Sequence, residues 1–130
     1  MHILIVEDHK ALRKSLRDWL NGVFPQCDFS EAASGEEAIE ICRDLTPDLI
    51  LMDIGLPRLN GIGTIKRLLT MVPKARVVML TIHEEEAYRS EALSAGASAF
   101  VSKRKMKTEL IPTIKRLLAA SGPKGSKGMK

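Results

Sequence analysis

The chain has 130 residues, a hydrophobic fraction of 45% and few aromatic residues. This length and composition predict one domain with a core of aliphatic side chains, and they exclude the disordered and membrane-embedded classes. The formal net charge is +4, but Lys124, Lys127 and Lys130 supply three of those charges and leave +1 for the body. The charge therefore gives no support for nucleic-acid binding by this domain.

The cysteines and the start of the chain bear on the cellular compartment. Cys27 and Cys42 lack the spacing of a metal motif, which favours free thiols in a reducing compartment. The apolar residues 3–6 meet Glu7 and Asp8 too soon for a signal sequence, and no apolar run has the length of a membrane span. We therefore expect a soluble, cytoplasmic protein that makes no contact with a membrane.

The first part of the chain predicts two units, each of a strand followed by a helix. Residues 3–6 form a continuous apolar run typical of a central parallel strand, and residues 28–32 predict a weaker edge strand. The first helix should end at Asn21-Gly22, and Ser34 with Glu37 forms a capping box at the start of the second. The apolar faces of the two helices consist of Leu12, Leu16, Trp19 and Leu20, and of Ala38, Ile41, Cys42 and Leu45.

The second part of the chain predicts three further units of the same kind. The run at residues 49–53, between two prolines, predicts a buried strand that ends on Asp53, and residues 76–81 and 99–102 predict two more strands. Gly96 should be the left-handed cap of a helix at about residues 84–95. Pro112 should be tolerated only in the first turn of the last helix, which should therefore begin late or bend. Buried faces are predicted from Ile65, Leu68, Leu69 and Val72, from Ala92, and from Leu110, Ile114, Leu117 and Leu118.

Polar side chains follow four of the predicted strands: Glu7 and Asp8, Asp53, Thr81, and Lys103. Alternating strands and helices predict a parallel sheet with helices on both faces, in which all carboxyl ends meet at one edge. Carboxylates gathered there repel one another unless a cation lies between them, and Mg²⁺ with its oxygen ligands meets that need. A carboxylate in such a site can attack a phosphoryl group. The pattern thus predicts a phosphoryl-transfer site with no obvious general base.

This arrangement resembles the receiver domain of two-component response regulators over about residues 2 to 120. The resemblance rests on the acidic pair after the first strand, on Asp53 with Pro57 and Gly61 behind it, on Thr81 and on Lys103. The strings Glu7-Asp8-His9 with Leu12-Arg13, and Ser94-Ala95-Gly96-Ala97 before Phe100, are similar to the NarL/FixJ (LuxR-type) subfamily of transcription regulators. The resemblance implies an α/β, flavodoxin-like (βα)5 fold, a doubly wound parallel sheet with strand order 2-1-3-4-5.

The resemblance also implies which residues form the acceptor and metal site. Asp53 would be the phosphoacceptor, and Glu7, Asp8, Asp53 and the backbone carbonyl of Gly55 would hold Mg²⁺. Gly55 and His83 occupy the two variable positions that set the dephosphorylation rate in the family. The protein would be a signalling phosphoacceptor and not an enzyme, although it would assist its own phosphorylation and dephosphorylation.

Three further residues receive roles in switching from the same resemblance. Thr81 and Lys103 would contact the phosphoryl group. Phe100 matches the aromatic residue that changes rotamer as the threonine moves inward, which would link the site to the face made by the fourth helix, fifth strand and fifth helix. Arg104 departs from the family pattern, because many receivers have proline after the lysine.

The expected partners follow from the resemblance too. A sensor histidine kinase would donate the phosphoryl group, the protein could form a homodimer on phosphorylation, and DNA would be bound only through an output domain absent from this chain. Residues 1–120 would be the receiver domain, and residues 121–130 the start of a flexible linker or an expression-derived tail. The alternative is a stand-alone receiver that acts by protein contacts or as a phosphate sink.

Each site residue also has a plain structural interpretation. Asp53 alone could be a turn former, Asp8 could be the N-cap of the first helix, and Thr81 could bond to backbone. Lys103 stands in a charge run typical of a solvated loop, and Phe100 could belong to the core.

Two other classes of protein compete with this interpretation. A haloacid-dehalogenase-type phosphatase needs a second acid two residues after the aspartate, where this chain has Gly55. A flavin-binding flavodoxin-like module stays open as an alternative, and it would be yellow as purified.

Overall fold

The computed structural model describes residues 1–53, 58–82 and 86–120, without the side chains of residues 58–60 and 120. Its strands are β1 (His2–Glu7), β2 (Asp28–Ala32), β3 (Leu49–Asp53), β4 (Arg76–Thr81) and β5 (Ala99–Ser102). Its helices are α1 (Lys10–Val23), α2 (Gly35–Ile41), α3 (Arg58–Met71), α4 (Glu86–Ser94) and α5 (Met106–Ala120), with a 3-10 turn at Lys103–Lys105 before α5. No helix in these ranges is long and apolar enough to cross a membrane. The expected tail, residues 121–130, lies outside the described residues.

The five strands form one parallel sheet in the order β2-β1-β3-β4-β5, which confirms the expected flavodoxin-like fold. β1 and β3 are the apolar runs bounded by acids, and each has a neighbouring strand on both sides. β2 and β5, most of whose residues are only partly buried, are the two edge strands. The inner strands are thus the more apolar ones, because an inner strand of a parallel sheet is covered by helices on both faces.

Alternate residues of the strands face two separate layers of helices. One layer packs against Leu4, Val6, Ile50 and Met52 and contains the apolar residues of α2, α3 and α4. The other packs against Ile3, Ile5, Leu49 and Leu51 and contains those of α1 and α5. The period of two along each strand therefore assigns neighbouring residues to opposite layers.

Two predicted helix termini are confirmed. The backbone N–H of Glu37 donates to Ser34 Oγ at 3.1 Å, and Glu37 Oε1 accepts from the N–H of Ala33 at 2.7 Å. Gly96 has a φ of 116° after α4, and it is the only residue with positive φ among those described. A β-carbon at Gly96 would meet only the flexible end of the Leu69 side chain, so it is the positive φ that favours glycine there.

The predicted ends of α1 and α2 were wrong. α1 continues through Asn21-Gly22 to Val23 and closes where the N–H of Phe24 donates to the carbonyl of Leu20 at 2.7 Å. The buried Phe24 side chain stabilises this later end. α2 stops at Ile41, before the predicted Leu45, because the chain tightens there into turns with bonds from residue 43 to 40 and from 44 to 41.

The expected late start of α5 and the suggested Asp8 cap of α1 were also wrong. Pro112 lies in the second turn of α5, which runs through it. The proline is exposed, so water can reach the carbonyl of Thr108 that its missing N–H would have bonded, while buried Leu110 and Ile114 hold the opposite face. The N-cap of α1 is His9, whose Nδ1 accepts from the N–H of Leu12 at 3.3 Å, and not Asp8.

Candidate functional site

Glu7 and Asp53 end the neighbouring inner strands β1 and β3 side by side. Their Cα atoms are aligned in the register between β1 and β3, and each residue is only 1% exposed. Lys103 follows β5 and reaches across this edge, so that its Nζ lies 3.0 Å from Asp53 Oδ1 and 4.0 Å from Glu7 Oε1. The structure thus brings two buried carboxylates and one ammonium group together from three strands.

The two carboxylates are not fully satisfied by the protein. Glu7 Oε2 accepts from the N–H of His9 at 2.7 Å, but Glu7 Oε1 and Asp53 Oδ2 are buried and have no hydrogen-bond donor among the described residues. Burial, together with the neighbouring Asp53 carboxylate, raises the pKa of Glu7 to about 9. Without a further cation Glu7 therefore holds a proton near neutral pH, and a divalent cation between the two carboxylates would take the place of that proton.

The oxygen donors at this edge fit a hard divalent cation. Glu7, Asp8, His9, Leu12 and Lys103 line a cavity of about 440 Å³, in which Asp8 is exposed to solvent. No group of three His, Cys, Asp or Glu side chains within the described ranges is arranged as a complete metal site. Two buried carboxylate oxygens that lack donors nevertheless suit Mg²⁺, which retains waters and needs few protein ligands.

Lys103 reaches the site from a 3-10 turn. Ser102 Oγ accepts from the backbone N–H of Arg104 at 3.2 Å and caps this turn, and no peptide bond in the described ranges is cis. Arg104 in place of the proline common in the family therefore does not prevent the lysine from contacting Asp53. The side chain of Lys103 is partly exposed, so its ammonium lies between the buried carboxylates and solvent.

Thr81 and Phe100 lie on neighbouring strands beside the site. Thr81 is buried at the end of β4, aligned with Ser102 of β5. Phe100 is half-buried and packs edge-on against the ring of Tyr88, with the centroids 6.1 Å apart and the planes at 80°. Tyr88 is buried on α4, where the sequence predicted mainly small inward residues such as Ala92.

Several site residues were not found by sequence reasoning, and others cannot be placed. Gly55 and His83, expected to tune dephosphorylation, lie outside the described residues, as does Pro57. Tyr88 was missed, although its spacing of four from Ala92 in the sequence would have indicated a shared helix face. Arg13 was missed as a contact of the site: its Nη1 donates to the carbonyl oxygen of Glu7 at 2.9 Å. Only the three-dimensional structure reveals that contact.

The fold and this cluster of residues define the class of protein. The chain belongs to the response regulator receiver domain family, whose model matches residues 3–115. Within that class it resembles LuxR-family regulators. It superimposes on a LuxR-family two-component response regulator from Aurantimonas sp. SI85-9A1 with a TM-score of 0.83 and 32% identity, over 92% of this chain and 85% of the other.

Two relatives of similar identity to this chain differ in length. The chain is 35% identical over 119 residues to the transcriptional activator protein ExaE of Pseudomonas putida, covering 92% of this chain but 56% of that protein. It is 33% identical over 119 residues to Protein CcdB of Bacillus subtilis (strain 168), covering 89% of this chain and 96% of that protein. The chain therefore spans about half the length of some relatives and nearly all of another.

Proposed function

We propose that this receiver domain takes a phosphoryl group from the phosphohistidine of a sensor kinase onto Asp53, with Mg²⁺ bound at the same edge of the sheet. The observation that carries the proposal is the buried pair of Glu7 and Asp53 carboxylates, aligned in register, with Lys103 Nζ 3.0 Å from Asp53. Family membership supports the same chemistry. We further propose that the protein works in the cytoplasm, where such kinases present their phosphohistidine.

The side chains at the edge suit an in-line transfer. An Asp53 oxygen forms a bond to phosphorus while the bond between phosphorus and the kinase histidine breaks, and the imidazole leaves with the bonding electrons. No general base is required, because a carboxylate attacks without losing a proton. The Lys103 ammonium and the Thr81 hydroxyl hold the phosphoryl oxygens as charge develops on them.

Glu7, Asp8, Asp53 and the carbonyl of Gly55 would be the protein ligands of Mg²⁺. The bound ion would supply charge neutralisation between the carboxylates and the phosphoryl oxygens. The buried oxygens Glu7 Oε1 and Asp53 Oδ2, which lack donors among the described residues, support this assignment. Asp8 lines the same cavity, and its exposure leaves room for the waters that Mg²⁺ keeps.

Phosphorylation would act on the rest of the protein through Thr81 and Phe100. Thr81 is one strand away from Asp53, and a shift of its hydroxyl towards the phosphoryl group would vacate space beside β5. Phe100, packed edge-on against Tyr88, is the group placed to fill that space. The α4, β5 and α5 face would then change shape and could become the homodimer surface.

The output of the switch has two candidates. Transcriptional relatives such as ExaE are longer than the region they share with this chain, which supports a DNA-binding output domain outside this chain. CcdB, of which the chain covers 96%, supports a stand-alone receiver that acts by protein contacts or as a phosphate sink. The full reading frame distinguishes the two, because a downstream helix-turn-helix pattern favours the first and a stop codon the second.

The acceptor is tested by incubating the protein with acetyl phosphate and Mg²⁺ and measuring its mass. One added phosphoryl mass is expected, and both Asp53→Asn and removal of Mg²⁺ by a chelator should prevent it. Asp48→Asn is the matched control, since Asp48 lies just before the amino end of β3, the strand that Asp53 ends. Labelling that persists in the Asp53→Asn variant would refute the proposed acceptor.

A further inference from the structure

Glu7 projects its carboxylate into the site from the very end of β1, beyond the part of the strand held by β2. The register between β1 and β2 stops at Val6 and Ala32, whereas that between β1 and β3 continues to Glu7 and Asp53. Glu7 is therefore paired with a strand on one side only. A residue whose side chain must stay in a fixed place needs some other contact on its open side.

The Arg13 side chain from α1 provides that contact. Its Nη1 donates to the carbonyl oxygen of Glu7 at 2.9 Å, and its Nε donates to Glu31 Oε1 on β2 at 3.0 Å. The guanidinium thus joins the end of β1 to the edge strand where the ladder of backbone bonds has ended. Only 16% of the Arg13 side chain is exposed, so these bonds are largely protected from competition by water.

Arg17, one helical turn further along α1, shares only part of this network. Its Nη1 lies 2.6 Å from Glu31 Oε2, and its side chain is 44% exposed. The described contacts of Arg17 do not include Glu7. The two arginines carry the same charge and bind the same carboxylate, but only Arg13 contacts the backbone of the site.

We infer that Arg13 is a positioning residue for the Mg²⁺ site, acting through the Glu7 backbone and held in turn by Glu31. The inference rests on the proposed function. A group that orients a metal ligand contributes to metal affinity without touching the metal, and removing one commonly weakens binding by about 10- to 100-fold. Arg13 holds the backbone from which the Glu7 carboxylate projects, so its removal should weaken Mg²⁺ binding at the lower end of that range.

Charge alone makes the opposite prediction, which allows a clear test. Deleting either arginine removes one positive charge from the neighbourhood of a cation site, so a purely electrostatic effect would tighten Mg²⁺ binding in both variants. Positioning predicts weaker binding in Arg13→Ala and little change in Arg17→Ala. The sign of the Arg13→Ala effect therefore separates the two explanations.

The experiment is a titration of the isotope-labelled chain with MgCl₂, followed by amide chemical shifts. The dissociation constant for Mg²⁺ should rise about tenfold in Arg13→Ala and stay within about twofold in Arg17→Ala. Arg13→Lys, which keeps one donor for the Glu7 carbonyl, should fall between wild type and Arg13→Ala. Glu31→Gln, which loosens Arg13 without deleting it, should cost about threefold and serves if Arg13→Ala does not fold.

Phosphorylation by acetyl phosphate gives a second readout. In Arg13→Ala the rate at saturating Mg²⁺ should approach the wild-type rate, while the Mg²⁺ concentration needed for half of that rate should rise. An unchanged Mg²⁺ affinity in Arg13→Ala, an equal loss in Arg17→Ala, or no recovery by Arg13→Lys would overturn the inference. If wild type itself binds no Mg²⁺, it is the proposed function that fails.

Discussion

Asp48 lies just before β3 and Asp53 is its last residue, so the two aspartates lie at the amino and carboxyl ends of the same strand. At the first edge the protein satisfies Asp48 itself: Asp48 Oδ2 accepts from the N–H of His2 at 2.8 Å, and the Asp48 N–H donates to the His2 carbonyl at 2.8 Å. At the second edge Asp53 shares a buried space with Glu7, and an oxygen of each lacks a donor among the described residues.

The difference shows how one residue type acquires two roles from its position. Asp48 joins neighbouring strands, since its carbonyl also accepts from the N–H of Arg76 on β4 at 3.0 Å. Its backbone N–H, its carbonyl and its Oδ2 are therefore all hydrogen-bonded within the fold. Asp53 lies where the strands end, and its Oδ2 has no hydrogen-bond donor in the described structure, so that oxygen is available to a ligand. An unsatisfied buried carboxylate is therefore the informative feature, and an aspartate next to a strand is not.

The largest expected effect concerns the cation that contacts Asp53. Lys103→Ala should slow phosphorylation by acetyl phosphate about 100-fold, because a positioned donor to the developing phosphoryl charge is lost. Lys105→Ala is the control, since Lys105 lies exposed in the same 3-10 turn. Initial rates at saturating Mg²⁺ measure the effect. Equal rates for both variants would mean that the ion pair with Asp53 does not contribute to the reaction.

The next prediction tests whether the buried pair of Glu7 and Asp53 carboxylates destabilises the protein when no Mg²⁺ is bound. Glu7→Gln should raise the free energy of unfolding of the Mg²⁺-free protein by about 1 to 2 kcal/mol at pH 7, because wild type must take up a proton at Glu7 on folding whereas glutamine is already neutral. Urea unfolding in a chelator measures this change. The same variant should bind Mg²⁺ more weakly, so stability and metal affinity should move in opposite directions.

The pH dependence of that effect has a definite sign. The pKa of Glu7 is raised in the folded state, so the folded protein holds a proton that the unfolded chain releases. Its contribution to stability is complete below the unfolded pKa near 4.5 and is lost as the pH rises towards about 9. Without Mg²⁺, wild type should therefore lose stability relative to Glu7→Gln between pH 5 and pH 9. A difference in free energy of unfolding between the two proteins that becomes smaller from pH 5 to pH 9 would contradict the raised pKa of Glu7.

A substitution of Asp48, at the other end of β3, should change the free energy of unfolding in the opposite direction. Asp48→Ala should lower the free energy of unfolding by about 1 kcal/mol, because the His2 N–H loses its acceptor. Urea unfolding provides the value, and phosphorylation by acetyl phosphate should continue at the wild-type rate. If Asp48→Ala proved more stable than wild type, the contrast between the two ends of β3 would be lost.

The contacts at the carboxyl ends of the strands were easier to predict from the sequence than those at the amino ends, for a physical reason. Glu7, Asp53, Thr81 and Lys103 each follow an apolar run, and parallel strands carry such groups to one edge, so their meeting could be expected from local pattern. The bond between Asp48 and His2 joins residues 46 apart in the chain, and no local pattern marks it. Helix ends were also harder to predict, because tertiary burial of Phe24 outweighs the breaking tendency of Asn21-Gly22.

Strand order illustrates the same limit. Alternation of strands and helices predicts a parallel sheet but fits several orders, and the order 2-1-3-4-5 came from family resemblance. The contact between Arg13 and the Glu7 carbonyl likewise depends on how α1 lies against β1 and β2. Local chemistry thus predicts which elements form and where polar groups cluster, whereas packing decides which side chains hold them in place.

The smallest expected effect uses Glu31 as a third kind of carboxylate, one already paired with cations. The hydrogen bond from Arg17, together with Arg13, lowers the pKa of Glu31. Its contribution to stability is therefore present above the unfolded pKa and is lost as the pH falls through the folded value. Glu31→Gln should cost about 0.5 kcal/mol at pH 7 and progressively less in acid, the reverse of the trend for Glu7→Gln.

Urea unfolding of wild type and Glu31→Gln at pH 7 and pH 3 tests this trend. The exposed Glu40, paired with Arg43 on the surface, supplies the control substitution Glu40→Gln, which should change stability little at either pH. A Glu31→Gln cost that persists undiminished at pH 3 would mean that shape and not charge makes the residue stabilising. Pairing with cations would then not explain why Glu31 contributes to stability differently from Glu7 and Asp48.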